Sequence, residues 1–194
     1  MKQRKKPPKL SQTKPGRVKK SRESNVVEES EAAYRKTVHK PTIFKITRAG
    51  KQREYVVESG FGYFIGSFRK ATHITQISEV VDKGIASKEI EPVIQYLGFK
   101  VPEIAKAAAV SPSTVNRWEP ETSIGVAGTN QFFKIDEIIK KGVDLFGSPD
   151  EFKAWLDSPN LSLGNQVPGK ILTSNIGVEL VDEALDALHF GTVM

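Results

Sequence analysis

The sequence has no cysteine, which excludes disulfides and thiolate zinc sites. Its three histidines, His39, His73 and His189, are scattered without ligand spacing, which argues against a metal centre. No apolar run approaches the roughly 18 residues that a membrane helix needs. The basic opening has no apolar stretch behind it, so it does not read as a secretory signal. Catalytic signatures are missing as well: there is no GxSxG, no P-loop, no GxGxxG after a strand, and no carboxylate pair with a histidine in range. Asp144, Asp150 and Asp157 read as helix caps and solvated faces. These absences point away from an enzyme or a cofactor and towards a cytoplasmic binding protein.

Acidic residues are missing from one place only. Residues 1–22 hold ten Lys or Arg and no acid, which leaves 19 of the 29 basic side chains against 23 acidic ones in the rest. The net charge of +6 is therefore a property of an arm and not of a folded surface. Residues 1–33, rich in Lys, Pro, Ser and Glu, have almost nothing to bury and read as disordered. Such an arm is either a salt-sensitive phosphate attractor or a solvated tail.

What is present is a strong helical pattern with one short β-rich stretch. The stretch VPEIAKAAAVSPSTVNRW (101–118) reads as two short helices joined by a tight turn. Pro102 suits a first helical turn, and Ile104, Ala105 and Ala108 form one apolar stripe. Ser111 caps a second helix that starts at Pro112 and turns Val115 and Trp118 inward. This is the layout of a helix-turn-helix, with Ser111, Ser113, Thr114, Asn116 and Arg117 as candidate DNA contacts. Arg forks onto guanine, Asn pairs with adenine, and hydroxyls bond phosphates or base edges. Ala109 stands where such turns usually carry glycine, so the turn either tolerates strain or avoids positive φ. The competing reading is an ordinary helical hairpin with Trp118 as a core residue.

On either side, TIFKIT and REYVVES around Ala49-Gly50 predict a hairpin, or a three-stranded meander with GFGYFIGSF. A segment that orders only on a partner is the alternative. Phe61, Tyr63, Phe64 and Phe68 have base-stacking chemistry, although core packing is the commoner use. Ile74–Val81 and Ser87–Leu97 predict two helices, closed by Gly84 and Gly98. Glu119–Thr129 reads as a glycine-rich loop. Phe132, Ile135, Ile139, Val143 and Phe146 define an amphipathic helix. A helix behind Ser148-Pro149, a turn-rich loop, a short turn at Pro168–Leu172 and a last helix bearing Val178, Val181, Leu185 and Leu188 follow. The fold class is mainly α, with a small β-hairpin segment near the N-terminus.

The block Trp155-Leu156, Pro159-Asn160, Leu163-Gly164, Pro168 and Leu172 is more specific than a helix-turn-helix. With VVDKGI, IEPVIQYLGF, VDLFG and the closing HFG, it makes residues 78–194 resemble the Xre/MbcA/ParS-type antitoxins of bacteria. The resemblance implies operator DNA bound through the helix-turn-helix, usually by a homodimer. It also implies neutralisation of a co-encoded toxin, most often of the NAD-degrading RES-domain type, by covering its active site. Carried onto this sequence, the toxin contact falls on Asn160, Leu163, Gly164, Pro168, Leu188, His189, Phe190 and Gly191. The domain organisation expected is a basic arm over 1–33 and a hairpin segment over 34–72. A helix-turn-helix domain over 73–130 and a toxin-binding domain over 131–194 complete it. The alternative is a stand-alone helix-turn-helix regulator whose C-terminal half serves dimerisation.

Overall fold

The computed structural model describes residues 41–48, 50–57 and 60–191. The basic arm expected over 1–33 lies outside the described residues. Strands β1 (Thr42–Arg48) and β2 (Lys51–Val57) pair antiparallel, from Thr42 opposite Val57 to Arg48 opposite Lys51. Gly50, at φ +74°, takes the left-handed conformation that a two-residue hairpin loop demands. Alternation buries Phe44, Ile46 and Val57 and leaves Ile43 and Val56 on the open face.

GFGYFIGSF does not add a third strand, which settles the choice between hairpin and meander. Its backbone N–H groups have another destination. Phe64 and Ile65 donate to the buried carboxylate of Asp136 at 2.9 and 3.0 Å, and the chain then turns into helix α1 (Gly66–Arg69). A Cβ at Gly62 would lie 2.3 Å from that carboxylate, so glycine is what lets the loop close on it. Tyr63, Phe64 and Phe68 are buried, and Phe44 packs on Phe64 with ring centroids 4.4 Å apart. Their burial removes them as base-stacking candidates.

Helix α2 (Ile74–Lys83) ends at Gly84. The helix expected from Ser87 divides into a 3-10 turn (Ser87–Ile90) and α3 (Glu91–Leu97), which places Pro92 in a first turn where it costs no hydrogen bond. Helices α4 (Val101–Ala107) and α5 (Pro112–Val115) form the expected pair. The loop expected over 119–129 is shorter than its composition suggests, because α6 (Gly125–Phe146) begins inside it. Two packing needs account for the helical glycine and threonine. Gly128 lets α6 approach Ala108, which a Cβ would meet at 3.2 Å. Thr129 returns its hydroxyl to Gly125 O at 2.7 Å and accepts the Ile85 N–H at 3.0 Å.

α6 is the central post. Phe132, Ile135 and Ile139 are fully buried, and the helix packs against α2, α4, α7 (Pro149–Asp157) and α9 (Asn175–Phe190). A 3-10 turn (Leu161–Leu163) and α8 (Pro168–Ile171) connect the last two. The expected boundary between 130 and 131 falls inside α6, and the described residues belong to one compact unit, His39–Met194. Among the described residues, no helix is long and apolar enough to cross a membrane.

Ala109 takes the strained alternative, with φ +55°. Its methyl group is exposed, so it gains no packing in return. Left-handed backbone costs an L-residue about 1–2 kcal/mol, and the added chain entropy of an unfolded glycine takes back part of that. Ala109→Gly is expected to stabilise the fold by about 0.5–1 kcal/mol, read as a higher urea midpoint with an unchanged m-value. An unaltered midpoint would show that the turn relaxes without glycine.

Candidate functional site

Two surfaces hold the residues singled out in the sequence. The first is the α4–α5 pair. Ile104, Ala105, Ala107 and Ala108 are buried, the Val110 N–H bonds Ala105 O at 2.9 Å, and Val115 and Trp118 lean on the core. Ser111 caps α5 by accepting the Thr114 N–H at 3.1 Å. Its hydroxyl also lies 2.8 Å from those of Ser113 and Thr114. The hydroxyls of Ser111, Ser113 and Thr114 thus form one cluster at the turn, with Thr114 the least exposed of the three. Ser113, Asn116 and Arg117, exposed and three and four residues apart, remain as the outward face. α5 is a single turn, so that face is small.

The second surface is C-terminal. Asn160 closes a compact loop: its N–H bonds Gln166 O at 3.0 Å, its carbonyl takes the Asn165 N–H at 2.8 Å, and its side chain accepts the Ser162 N–H at 2.9 Å. Gly164 and Asn165 both adopt positive φ to complete the turn. Leu163 and Pro168 are buried. Both side chains pack into the core, so in this chain they shape the block more than they line its surface. The block is a clasp: α8 packs on α7 and on α9, and the 3-10 turn packs on α9.

α9 carries two apolar stripes. Val178, Val181, Ala184 and Leu185 face the core. On the opposite side Ile176 is 70% exposed, Leu180 40% and Phe190 75%, and Ala187 lies between them. The steps of four, seven and three residues set these four on one face. Leu188 is half exposed, the His189 ring meets Phe190 edge-on at 5.0 Å, and Gly191 caps the helix at φ +66°. Leu161, 86% exposed, stands out from the 3-10 turn. Ile176, Leu180 and Leu161 were not singled out from sequence. The signal for the first two was their i, i+4 spacing, which the stronger inward stripe outweighed.

Beside the outer stripe, α6 and α9 border a groove of about 860 Å³ whose apolar floor includes Phe61, Ile138, Leu145 and Val178. Lys141 spans it, 2.5 Å from Asp182 and 2.8 Å from Asp186. Burial works against charge on Lys141, but the hydrogen bonds it donates to the two aspartates outweigh it and hold its pKa above the usual value. Burial raises the Glu137 carboxyl, with Asp182 adding to the effect. Among the described residues, no three His, Cys, Asp or Glu side chains converge as a metal site. An apolar stripe flanked by paired charges is suited to binding a protein surface.

Residues 141–191 match the family model described as the antitoxin Xre/MbcA/ParS C-terminal toxin-binding domain. The match runs from Lys141 through the clasp to the Gly191 cap. Among solved structures, a chain of the crystal structure of the M. tuberculosis MbcT–MbcA toxin–antitoxin complex is similar at 18% identity and a TM-score of 0.37. The similarity covers 54% of this chain and 94% of that one. No curated protein matches the chain.

Proposed function

We propose that this chain, which carries the toxin-binding domain of the Xre/MbcA/ParS antitoxins, neutralises a co-encoded toxin by docking the outer stripe of α9 on it. The observation that carries the reading is the placement of exposed apolar side chains. Leu161, Ile176, Leu180, Leu188 and Phe190 all fall within the matched segment, and four of them are on one helix. A helix that is apolar on two opposite faces has a second partner. Asn160 and Gly164 shape the clasp, while Leu188, His189, Phe190 and Gly191 form the end that reaches the partner. A RES-domain toxin is the partner class proposed, and the active-site cleft is the place covered.

The same reading assigns operator binding to Ser113, Asn116 and Arg117, in a homodimer acting in the cytoplasm. Arg117→Ala is expected to weaken operator binding by about 1–3 kcal/mol while neutralisation persists. Equal loss of both in a folded variant would count against two separate surfaces.

The test is growth of cells expressing the gene adjacent to this one: alone, with the full chain, and with the chain cut before His189. Rescue by the full chain alone puts the contact at His189-Phe190. Rescue by both moves it up the helix to Ile176 and Leu180. No rescue by either, with a toxic neighbour, sinks the antitoxin reading for that pair. A harmless neighbour would leave a stand-alone helix-turn-helix regulator as the better account.

A further inference from the structure

We propose that the tip of the β1–β2 hairpin is a second nucleic-acid contact, a basic finger that grips duplex DNA phosphates beside the helix-turn-helix. The proposal rests on the operator-binding reading above and adds to it a surface outside the motif.

Residues 41–53 contain Lys45, Arg48, Lys51 and Arg53 and no acid. The strand register sets Arg48 directly opposite Lys51 at the turn. Lys51 is exposed beside that turn, and Arg53 follows it on the same strand face. Lys45 reaches Glu54 at 4.0 Å on the other face, and Arg53 reaches Glu91 at 3.5 Å. Both pairs are exposed and hold their cations only weakly.

The direction of the finger follows from two contacts. Arg53 meets Glu91 in the first turn of α3, and the Tyr55 hydroxyl bonds Gln95 one turn later at 2.9 Å. β2 therefore runs parallel to α3, and the hairpin turn, which precedes Arg53, extends past the N-terminal end of that helix. The 3-10 turn at the same end is tied to the segment that leaves α5. Ser87 N–H bonds Thr122 O at 2.8 Å, Lys88 N–H bonds Pro120 O at 3.1 Å, and the Lys88 ammonium pairs with Glu121. The basic turn and the 120–122 segment, which follows the exposed Asn116-Arg117 in the chain, thus lie towards one end of α3. Glu91 and Glu121 between them each meet a cation, whereas Glu89, held by Ser67, and Glu119 are acids that work against phosphate there.

The arrangement meets a need of the motif. The one-turn α5 and the two residues after it offer three outward side chains, of which only Arg117 is charged. Phosphate contacts fix a DNA-binding protein in register, and they require more cations than one. A two-stranded ribbon is narrow enough to lie along a groove or its phosphate edge.

The experiment measures binding of the full chain to a duplex from the region immediately upstream of its own gene, and to an unrelated duplex, over a salt series. Lys51→Ala with Arg53→Ala is expected to weaken both by about tenfold at physiological salt and to lower the salt slope by about 2, leaving their ratio unchanged. Lys51→Arg is expected to bind like the wild type. Arg117→Ala, in contrast, is expected to lower the ratio. A double variant with wild-type slope and affinity, beside a defective Arg117→Ala, overturns the finger and leaves the helix-turn-helix reading standing. A wild-type chain that binds neither duplex overturns both. Tighter binding to single-stranded RNA than to either duplex would overturn the assignment to DNA.

Discussion

Ile176→Asp combined with Leu180→Asp is expected to abolish toxin neutralisation in a chain that remains folded. The two side chains are 70% and 40% exposed, so the core loses little when they change. Ile176 sits in the first turn of α9, where an added carboxylate meets the favourable end of the helix dipole. Leu180→Asp in the helix interior costs about 0.5 kcal/mol of propensity. The melting temperature should therefore move by a few degrees at most. At an interface the effect is of a different size. Two apolar anchors are lost and two charges must be desolvated against an apolar surface, which together amount to at least about 4 kcal/mol, or about 1000-fold in affinity. The measurement is a titration of purified toxin with each variant, beside the growth rescue. A double variant that binds and rescues like the wild type would remove the outer stripe of α9 from the interface. Phe190→Asp would then be the next variant to compare.

The outer stripe of α9 is harder to read from the sequence than the Asn160–Pro168 clasp beside it. Helical periodicity located every long helix, because buried positions such as Phe132, Ile135, Val181 and Leu185 repeat at the spacing that a packed face imposes. It does not say which of two apolar stripes faces inward, and α9 has two. The Asn160–Pro168 block was legible as something specific, but specificity of pattern did not distinguish a partner contact from a turn that buries Leu163 and Pro168. The glycines of residues 125–128 were read as loop for a similar reason. In isolation a glycine marks a turn; against Ala108 it marks a close helix approach, and only the tertiary contact tells these apart. The strain at Ala109 was stated as one of two alternatives, and local sequence could go no further, since the Val110 N–H that reaches back to Ala105 fixes the turn. Least legible of all was Asp136. It occupies a polar position within an amphipathic pattern and looks like any solvated helix face.

In the fold Asp136 is fully buried and is the acceptor that holds the Phe61–Ile65 segment, and with it the hairpin, against α6. Phe64 N–H lies 2.9 Å from one carboxylate oxygen and 3.1 Å from the other, and Ile65 N–H lies 3.0 Å from the second. Burial pushes the carboxyl from its ordinary value of 3.8 up to about 6, against the pull of the backbone N–H groups and of Arg69. A folded-state pKa above the unfolded one means that the folded chain holds the proton more tightly. The resulting stabilisation is complete below about pH 4 and is lost as the pH rises through about 6. Roughly two pH units of separation correspond to about 3 kcal/mol. Asp136→Asn keeps the volume and cannot titrate. In urea unfolding at a series of pH values, the stability of the wild type relative to Asp136→Asn is expected to be about 2.5 kcal/mol greater near pH 4 than near pH 7. Taking the difference removes the contributions common to both proteins. A difference that stays flat across this range would mean that the latch carboxylate is charged at both ends of it, and that the backbone N–H groups outweigh burial.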